Sequence, residues 1–335
     1  MTKAVSFLMC TNSFDEAFKA AVSSCLNQSF KDLELVIVVN CVDEKIQEQI
    51  RYFCEDETIK LVFSNAKYLS YNLNLGLDHC QSNYIARMDA DDISHPQRIE
   101  KQLSFLQINS DVAVCGSAYQ IMKDDGTVTK KVVLPSSDAE IRRKLYFFNP
   151  IAHSSVMFRK DAILSIGGYM GGRYAQDYDL WLRLANESHY KFHNLTDVLM
   201  NYNHSGGDAR ASKYAYASAA ASQWRLFVLT FNPIWLMASL LSLVKRVFNS
   251  KFKRNWTHIL WSIIMFQTEL KTVILKKMLF VVNVDWGFLS HRLPIAIEAI
   301  KQGYGVHIVT AIANKLYLLE SNGLVVDPLK LHRSP

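Results

Sequence analysis

The stretch Tyr84-Ile85-Ala86-Arg87-Met88-Asp89-Ala90-Asp91-Asp92-Ile93-Ser94-His95-Pro96 decides the fold. A short apolar run stops at three carboxylates, and a helix start follows at once. Ser94 or His95 is expected at the N-cap, Pro96 suits the first helical turn, and Ile99, Leu103 and Leu106 repeat on one helix face. Strand, acidic turn and helix in that order present oxygen ligands at the carboxyl edge of an α/β sheet. Asp89 and Asp91 lie two apart in the turn, and a hard divalent cation relieves the repulsion between such carboxylates. A solvated acidic loop, with Asp92 as an ordinary helix-start residue, fits the spacing equally well.

Upstream, the pattern alternates. Val5 to Met9 reads as a strand and Asp15 to Leu26 as an amphipathic helix with Ala17, Ala20, Ala21 and Cys25 inward. Leu35 to Val39 is an unbroken, mostly β-branched run, as a strand buried on both faces of a parallel sheet requires, and Asn40 closes it. A helix over Asp43 to Cys54, a strand over Ile59 to Phe63 and a helix from Tyr71 to Asp78 follow. This alternation predicts a doubly wound, mostly parallel sheet whose loops after Met9, Val39, Phe63 and Met88 meet at one edge. Downstream, strands are expected over Asp111 to Met122, Thr127 to Leu134, Ser154 to Phe158 and Asp197 to Tyr202. Helices are expected over Asp138 to Phe147 and Lys160 to Ile166, and another opens at Asp177-Tyr178-Asp179 with Leu180, Trp181 and Leu184 inward.

With 335 residues, half of them apolar, the chain has room for two domains or one with appendages. Six scattered cysteines form no CxxC pair, which predicts reduced, mostly buried thiols in the cytoplasm, and no secretory signal opens the chain. The net charge of +6 is local: Arg225 to Lys277 holds nine basic residues and one acid, Glu269. That suggests an anionic surface near this segment and not a nucleic-acid-binding protein. Leu226 to Val244 is strongly apolar but interrupted by Asn232-Pro233, and Trp256 to Leu275 is broken by Gln267, Glu269 and Lys271. Both are expected as helices on or in a membrane interface, with a hairpin packed on the protein itself as the plainer reading.

Residues 3 to about 205 resemble a family-2 glycosyltransferase of the GT-A fold. The resemblance rests on Val5-Ser6, Leu26-Asn27-Gln28-Ser29-Phe30, Leu73-Asn74-Leu75-Gly76-Leu77, the acidic stretch, and Ala175-Gln176-Asp177-Tyr178-Asp179-Leu180-Trp181. It implies a nucleotide-diphosphate sugar donor, and Mn²⁺ or Mg²⁺ held by Asp89 and Asp91 as the DxD pair, with Asp92 as a substitute for one of them. The cation would neutralise charge on the leaving diphosphate. Asp177 matches the family's catalytic carboxylate, a general base for the acceptor hydroxyl, in single displacement with inversion. Asp179 is read as a helix-start acid. Donor contacts are expected from Cys10, Asn12, Asn40, Asn74, Arg87 and the three aspartates. His204 matches a region that supplies a late metal or phosphate ligand, while Arg98, His153 and Gln176 are weaker acceptor or phosphate candidates.

The chain departs from that family at the nucleoside end. Cys10-Thr11-Asn12-Ser13 stands where an aromatic is usual, and Val39-Asn40 where Asp-Asp is usual, so Asn40 would read the base with different geometry. No processivity signal follows Asp177 at the right spacing, so one sugar is expected per acceptor. Residues 277 to 335 resemble the opening of a family-4, GT-B glycosyltransferase through Phe280-Val281-Val282-Asn283, Phe288 to Pro294 and Gly303-Tyr304. The resemblance implies a truncated, partial Rossmann-like βαβ fragment, for which no activity of its own is expected. The expected organisation is a GT-A domain at 1–224, basic apolar membrane-associating helices at 225–277 and the fragment at 278–335. The expected function is extension of a lipid-linked oligosaccharide in bacterial surface polysaccharide synthesis, peripherally at the inner face of the cytoplasmic membrane. A non-catalytic scaffold in such a synthesis complex is the alternative.

Overall fold

A computed structural model describes residues 3–123, 126–170, 172–203 and 213–247, and strands at 276–282, 304–310 and 325–328. Contacts divide the chain into two units, Met1–Ser250 and Lys251–Pro335.

The first unit opens with β1 (Val5–Thr11), α1 (Glu16–Leu26), β2 (Leu33–Asn40), α2 (Glu44–Phe53), β3 (Ile59–Ser64), α3 (Leu69–His79) and β4 (Tyr84–Asp89). Asp15 and Asp43 cap α1 and α2 by accepting from the backbone N–H three residues on, at 2.8 Å in both cases. The four strands pair in parallel in the order β3-β2-β1-β4. Both faces are covered, as unbroken apolar strands require. Val5, Phe7 and Met9 pack with Phe18, Ile50 and Ile99 on one face, and Leu8, Val36 and Val38 pack with Leu73 and Leu77 on the other. Gly76 lets α3 lie close on the sheet, because a Cβ there would stand 2.2 Å from Leu8 Cδ1. In α1 the inward residues are Phe18, Ala21, Val22 and Cys25, so the expected Ala17 and Ala20 give way to the bulkier pair one position along.

Beyond β4 the sheet is mixed. The two-residue β5 (Ile93–Ser94), α4 (Arg98–Ile108), β6 (Val112–Met122), β7 (Val128–Val132), α5 (Asp138–Leu145), β8 (Met157–Arg159), α6 (Lys160–Ser165), α7 (Gln176–Ala185) and β9 (Lys191–Asn203) follow. The antiparallel β8 joins β4 to β6, and β6 pairs in parallel with β9. The helix after the acidic turn starts later than expected. Ser94 is not its N-cap; β5 pairs with β9, Ile93 against Asn201, and α4 begins at Arg98 after Gln97. That pairing brings β9 beside the acidic turn.

Two helices end this unit: α8 (Lys213–Thr230) and α9 (Pro233–Val247). The boundary expected at 224/225 falls inside α8. The apolar run from Leu226 is divided at Phe231, whose φ of 50° turns the chain before Pro233. Leu226, Trp235 and Ala238 are buried in the same core cluster as Trp181. Gln223 donates to the Tyr146 carbonyl at 2.9 Å and accepts from Ser242 Oγ at 2.8 Å, locking the hairpin to the body and to itself. No helix among the described residues is long and apolar enough to cross a membrane. The second apolar stretch, 256–275, lies outside the described residues.

The second unit contains three parallel strands in the order β10 (Lys276–Val282), β11 (Tyr304–Thr310) and β12 (Val325–Pro328). The third strand was not expected. Of the helix expected at 289–301 only Ile297 and Ile300 are described, both helical, and the one expected at 315–320 lies outside the described residues.

Candidate active site

The carboxyl end of β4, next to β1 in the middle of the sheet, delivers Asp89, and the following turn adds Asp91 and Asp92. One oxygen from each of the three carboxylates can lie within 4.8 Å of the others. Asp92 is fully buried. Its Oδ1 accepts from the Asn203 backbone N–H at 2.8 Å, whereas its buried Oδ2 has no partner among the described residues. Burial, and then the charge of Asp89, push the Asp92 carboxyl up to about 8. The same two causes raise Asp91. Three crowded carboxylates with an unsatisfied buried oxygen form a hard-oxygen donor set, which suits Mg²⁺ or Mn²⁺.

One cation already stands in this cluster. Arg87, on β4, is buried and paired with Asp89. Burial acts to lower its pKa, but the charge and hydrogen bond of Asp89 outweigh burial and hold the guanidinium charged. Its Nε and Nη1 are buried without partners among the described residues. Arg98, a weaker acceptor or phosphate candidate, is turned to backbone carbonyls. It is fully buried beneath the turn, where Nη2 donates to the Arg87 carbonyl at 2.7 Å and to the Val156 carbonyl at 3.0 Å, so it supports β4 from behind.

A cavity of about 680 Å³ opens in front of Arg87 and Asp89 and is also lined by His153, Gln176 and Asp177. Asp177 sits in the first turn of α7, which Ala175 starts from a left-handed conformation with φ 55°. The Asn149 side-chain amide donates to Asp177 Oδ2 at 2.7 Å and fixes that carboxylate. His153 Nε2 shares a hydrogen bond of 2.8 Å with the Tyr169 hydroxyl, and its ring meets Trp181 edge-on. Asp179, two residues on, points elsewhere. It is 3 % exposed and takes Arg183 Nε and Arg225 Nη2, each at 2.8 Å, and Ser222 Oγ at 2.9 Å. Asp179 therefore ties α8 to α7, a larger part than a helix-start acid.

Asn74 also differs from its expected donor role. Its Nδ2 donates to the Tyr169 carbonyl at 2.9 Å and its Oδ1 accepts from the Tyr169 N–H at 2.8 Å. It clasps the loop that begins at Gly167-Gly168, and Gly168, at φ 66°, leaves the room, since a Cβ there would lie 2.6 Å from Asn74 Oδ1. Cys10 pairs in register with Asp89, and burial pushes its thiol up to about 12, so it offers no thiolate. Asn12 and Asn40 close the adjacent strand ends, the first exposed and the second half-buried, on the same sheet edge as the acidic turn. His204 lies outside the described residues.

Three contributors were not singled out in the sequence. Asn149 had no local signal. Arg225 was read only for charge and spacing. The cavity wall supplied by the hairpin, including Tyr216, Gln223 and Lys245, depends on how α8 and α9 dock.

Comparison with known proteins bears on the family and the fold. The family Glycosyl transferase family 2 matches residues 7–166. The O-antigen biosynthesis glycosyltransferase WbnJ of Escherichia coli is 34% identical over 227 residues, which cover 67% of this chain and 89% of WbnJ. The Escherichia coli UDP-Gal:alpha-D-GlcNAc-diphosphoundecaprenol beta-1,3-galactosyltransferase is 30% identical over 183 residues, covering 52% of this chain and 64% of that protein. Among solved structures, the mannosyltransferase PcManGT from Pyrobaculum calidifontis, in complex with GDP-Man and Mn²⁺, superposes with a TM-score of 0.53 at 14% identity. That match covers 74% of each chain and is a likeness of fold.

Proposed function

We propose, on the premise that this chain belongs to glycosyl transferase family 2 and is a glycosyltransferase, that it moves one sugar from a nucleotide-diphosphate sugar to a hydroxyl of a lipid-linked oligosaccharide. The products would serve bacterial surface polysaccharide synthesis, as the name of WbnJ suggests. The observation that carries this reading is the single cavity lined by both Asp89 and Asp177.

Asp89, Asp91 and Asp92 would hold Mn²⁺ or Mg²⁺, with His204 as a further ligand. The bound cation supplies charge neutralisation for the diphosphate. Arg87 adds a permanent positive charge at the same place, and its two unpartnered N–H groups suit phosphate oxygens. Asn12 and Asn40, at the neighbouring strand ends, face the nucleoside. Uridine fits as the base, which Asn40 can meet as both donor and acceptor.

Asp177 takes the proton of the acceptor hydroxyl. The acceptor oxygen bonds to the anomeric carbon while the carbon–oxygen bond to the diphosphate breaks and its electrons leave with the nucleotide. Attack from the side opposite the leaving group inverts the anomeric centre. Asn149 holds the Asp177 carboxylate in place for that transfer. Gln176 and His153 line the space for the acceptor. The basic segment around α9 and beyond would keep the enzyme at the inner face of the cytoplasmic membrane. Residues 278–335 would form a family-4-like βαβ segment.

The test uses the purified full chain, UDP- and GDP-sugars with Mn²⁺, and a GlcNAc-diphospho-lipid acceptor, with the product anomer read by NMR. One donor should give an inverted product, and Asp177→Asn should lose transfer while keeping nucleotide binding. Absence of nucleotide binding and of transfer across the whole panel would overturn the proposal.

A further inference from the structure

The cavity has a second side that the donor does not explain. Its α8–α9 wall ends at Lys245 in the last turn of α9. This lysine is partly buried, and its one hydrogen bond among the described residues is a long one, 3.4 Å from Nζ to the Phe147 carbonyl. Among the described residues it has no carboxylate partner. Burial lowers its pKa, and an anion beside it would offset that cost of charge. The other cavity cations differ. Arg87 is matched by Asp89 on β4. Arg173, on the loop before α7, lines the cavity and touches the Tyr174 ring without an ion pair among the described residues.

Position assigns the missing anion to the acceptor. Lys245 contacts Phe147, and two residues along the same segment Asn149 holds Asp177. Lys245 therefore belongs with the carboxylate that meets the acceptor hydroxyl, not with the acidic turn that meets the donor diphosphate. On the same helix Leu240, Leu243 and Val244 are 53 %, 40 % and 50 % exposed. A partly buried cation inside a cavity, next to exposed aliphatic side chains, is complementary to an amphiphile with an anionic head and an apolar tail. We propose that Lys245, assisted by Arg173, binds a phosphate of the acceptor, so that the enzyme takes its acceptor sugar from a diphosphate-linked amphiphile. This rests on the transfer reading above and adds the residue that selects the acceptor.

The test is equilibrium binding of farnesyl diphosphate to the full chain in EDTA, which keeps divalent cations from directing the probe to the acidic turn. Wild type is compared with Lys245→Gln and Lys245→Arg, and farnesol and inorganic pyrophosphate are run beside the diphosphate. Farnesyl diphosphate should saturate wild type, weaken about tenfold or more in Lys245→Gln, and recover to within about threefold in Lys245→Arg. Farnesol should bind weakly and equally to all three. Equal affinity of wild type and Lys245→Gln for farnesyl diphosphate, or none in wild type, overturns the proposal. Pyrophosphate binding as tightly as farnesyl diphosphate would overturn the amphiphile in favour of free phosphate. UDP binding with Mn²⁺, measured on the same proteins, should be unchanged. Its absence in wild type would sink the transfer reading separately, while the Lys245→Gln comparison still decides the phosphate site.

Discussion

Two acidic stretches with the same spacing behave in opposite ways. Asp89 and Asp91 lie two apart after β4, and Asp177 and Asp179 lie two apart at the start of α7. In the first stretch the carboxylates, joined by Asp92, converge and share one arginine, and among the described residues charge is left uncompensated and one buried oxygen unpartnered. In the second they diverge. Asp177 lines the cavity, and Asp179 is sealed between two arginines and a serine hydroxyl. Carboxylates held short of counter-charge are disposed to bind ligands, whereas fully matched ones hold structure. The spacing is the same, so what distinguishes them is what the rest of the fold brings within hydrogen-bond reach.

This contrast can be broken in order of effect. Asp177→Asn should lower transfer by roughly 10²–10⁴-fold, in keeping with loss of a general base, and leave thermal stability nearly unchanged. Steady-state kinetics and a melting curve on the same sample check both halves. Asp179→Asn should do the reverse. Removing the acid between Arg183 and Arg225 leaves two cations without their buried partner and costs about 3–5 kcal/mol in urea unfolding. Nucleotide binding by whatever fraction stays folded should persist. A milder structural loss is expected for Asn74→Ala, about 1–3 kcal/mol, because both backbone groups of Tyr169 lose their partner. Asp91→Asn is the most pointed of the set. It should weaken Mn²⁺ binding by about tenfold or more, roughly 1.4 kcal/mol, yet raise the melting temperature slightly in EDTA by relieving repulsion with Asp89. A fall in melting temperature in EDTA would mean that the turn is not crowded in the way described.

Much of the parallel half was legible before any coordinates. The unbroken Leu35 to Val39 run demanded burial on both faces, and the acid-rich end of the fourth strand marked the ligand edge. Asp15 and Asp43 identified their helix starts because capping is a local interaction. The helix after the acidic turn was misplaced because Ser94 and Pro96 carry a local N-cap signal that pairing of β5 with β9, more than a hundred residues later, overrides. Ala17 and Ala20 were chosen over Phe18 and Val22 because a helix of small residues shows weak periodicity. Arg98 and Asn74 looked like ligand residues, since a polar side chain in a family motif carries no mark of whether its partner is a substrate or a backbone carbonyl.

The sequence by itself determined the α/β class, the crowding of three carboxylates after the fourth strand, and the placing of Asp177 at a helix start. These follow from local pattern: strand periodicity, turn chemistry, and charge placed at the ends of elements. Only the tertiary structure decided which carboxylates remain short of counter-charge, that Asn149 holds Asp177, and that Lys245 closes the far wall of the same cavity. Those facts depend on contacts between residues tens to hundreds of positions apart, and such contacts exist only once packing has brought the elements together.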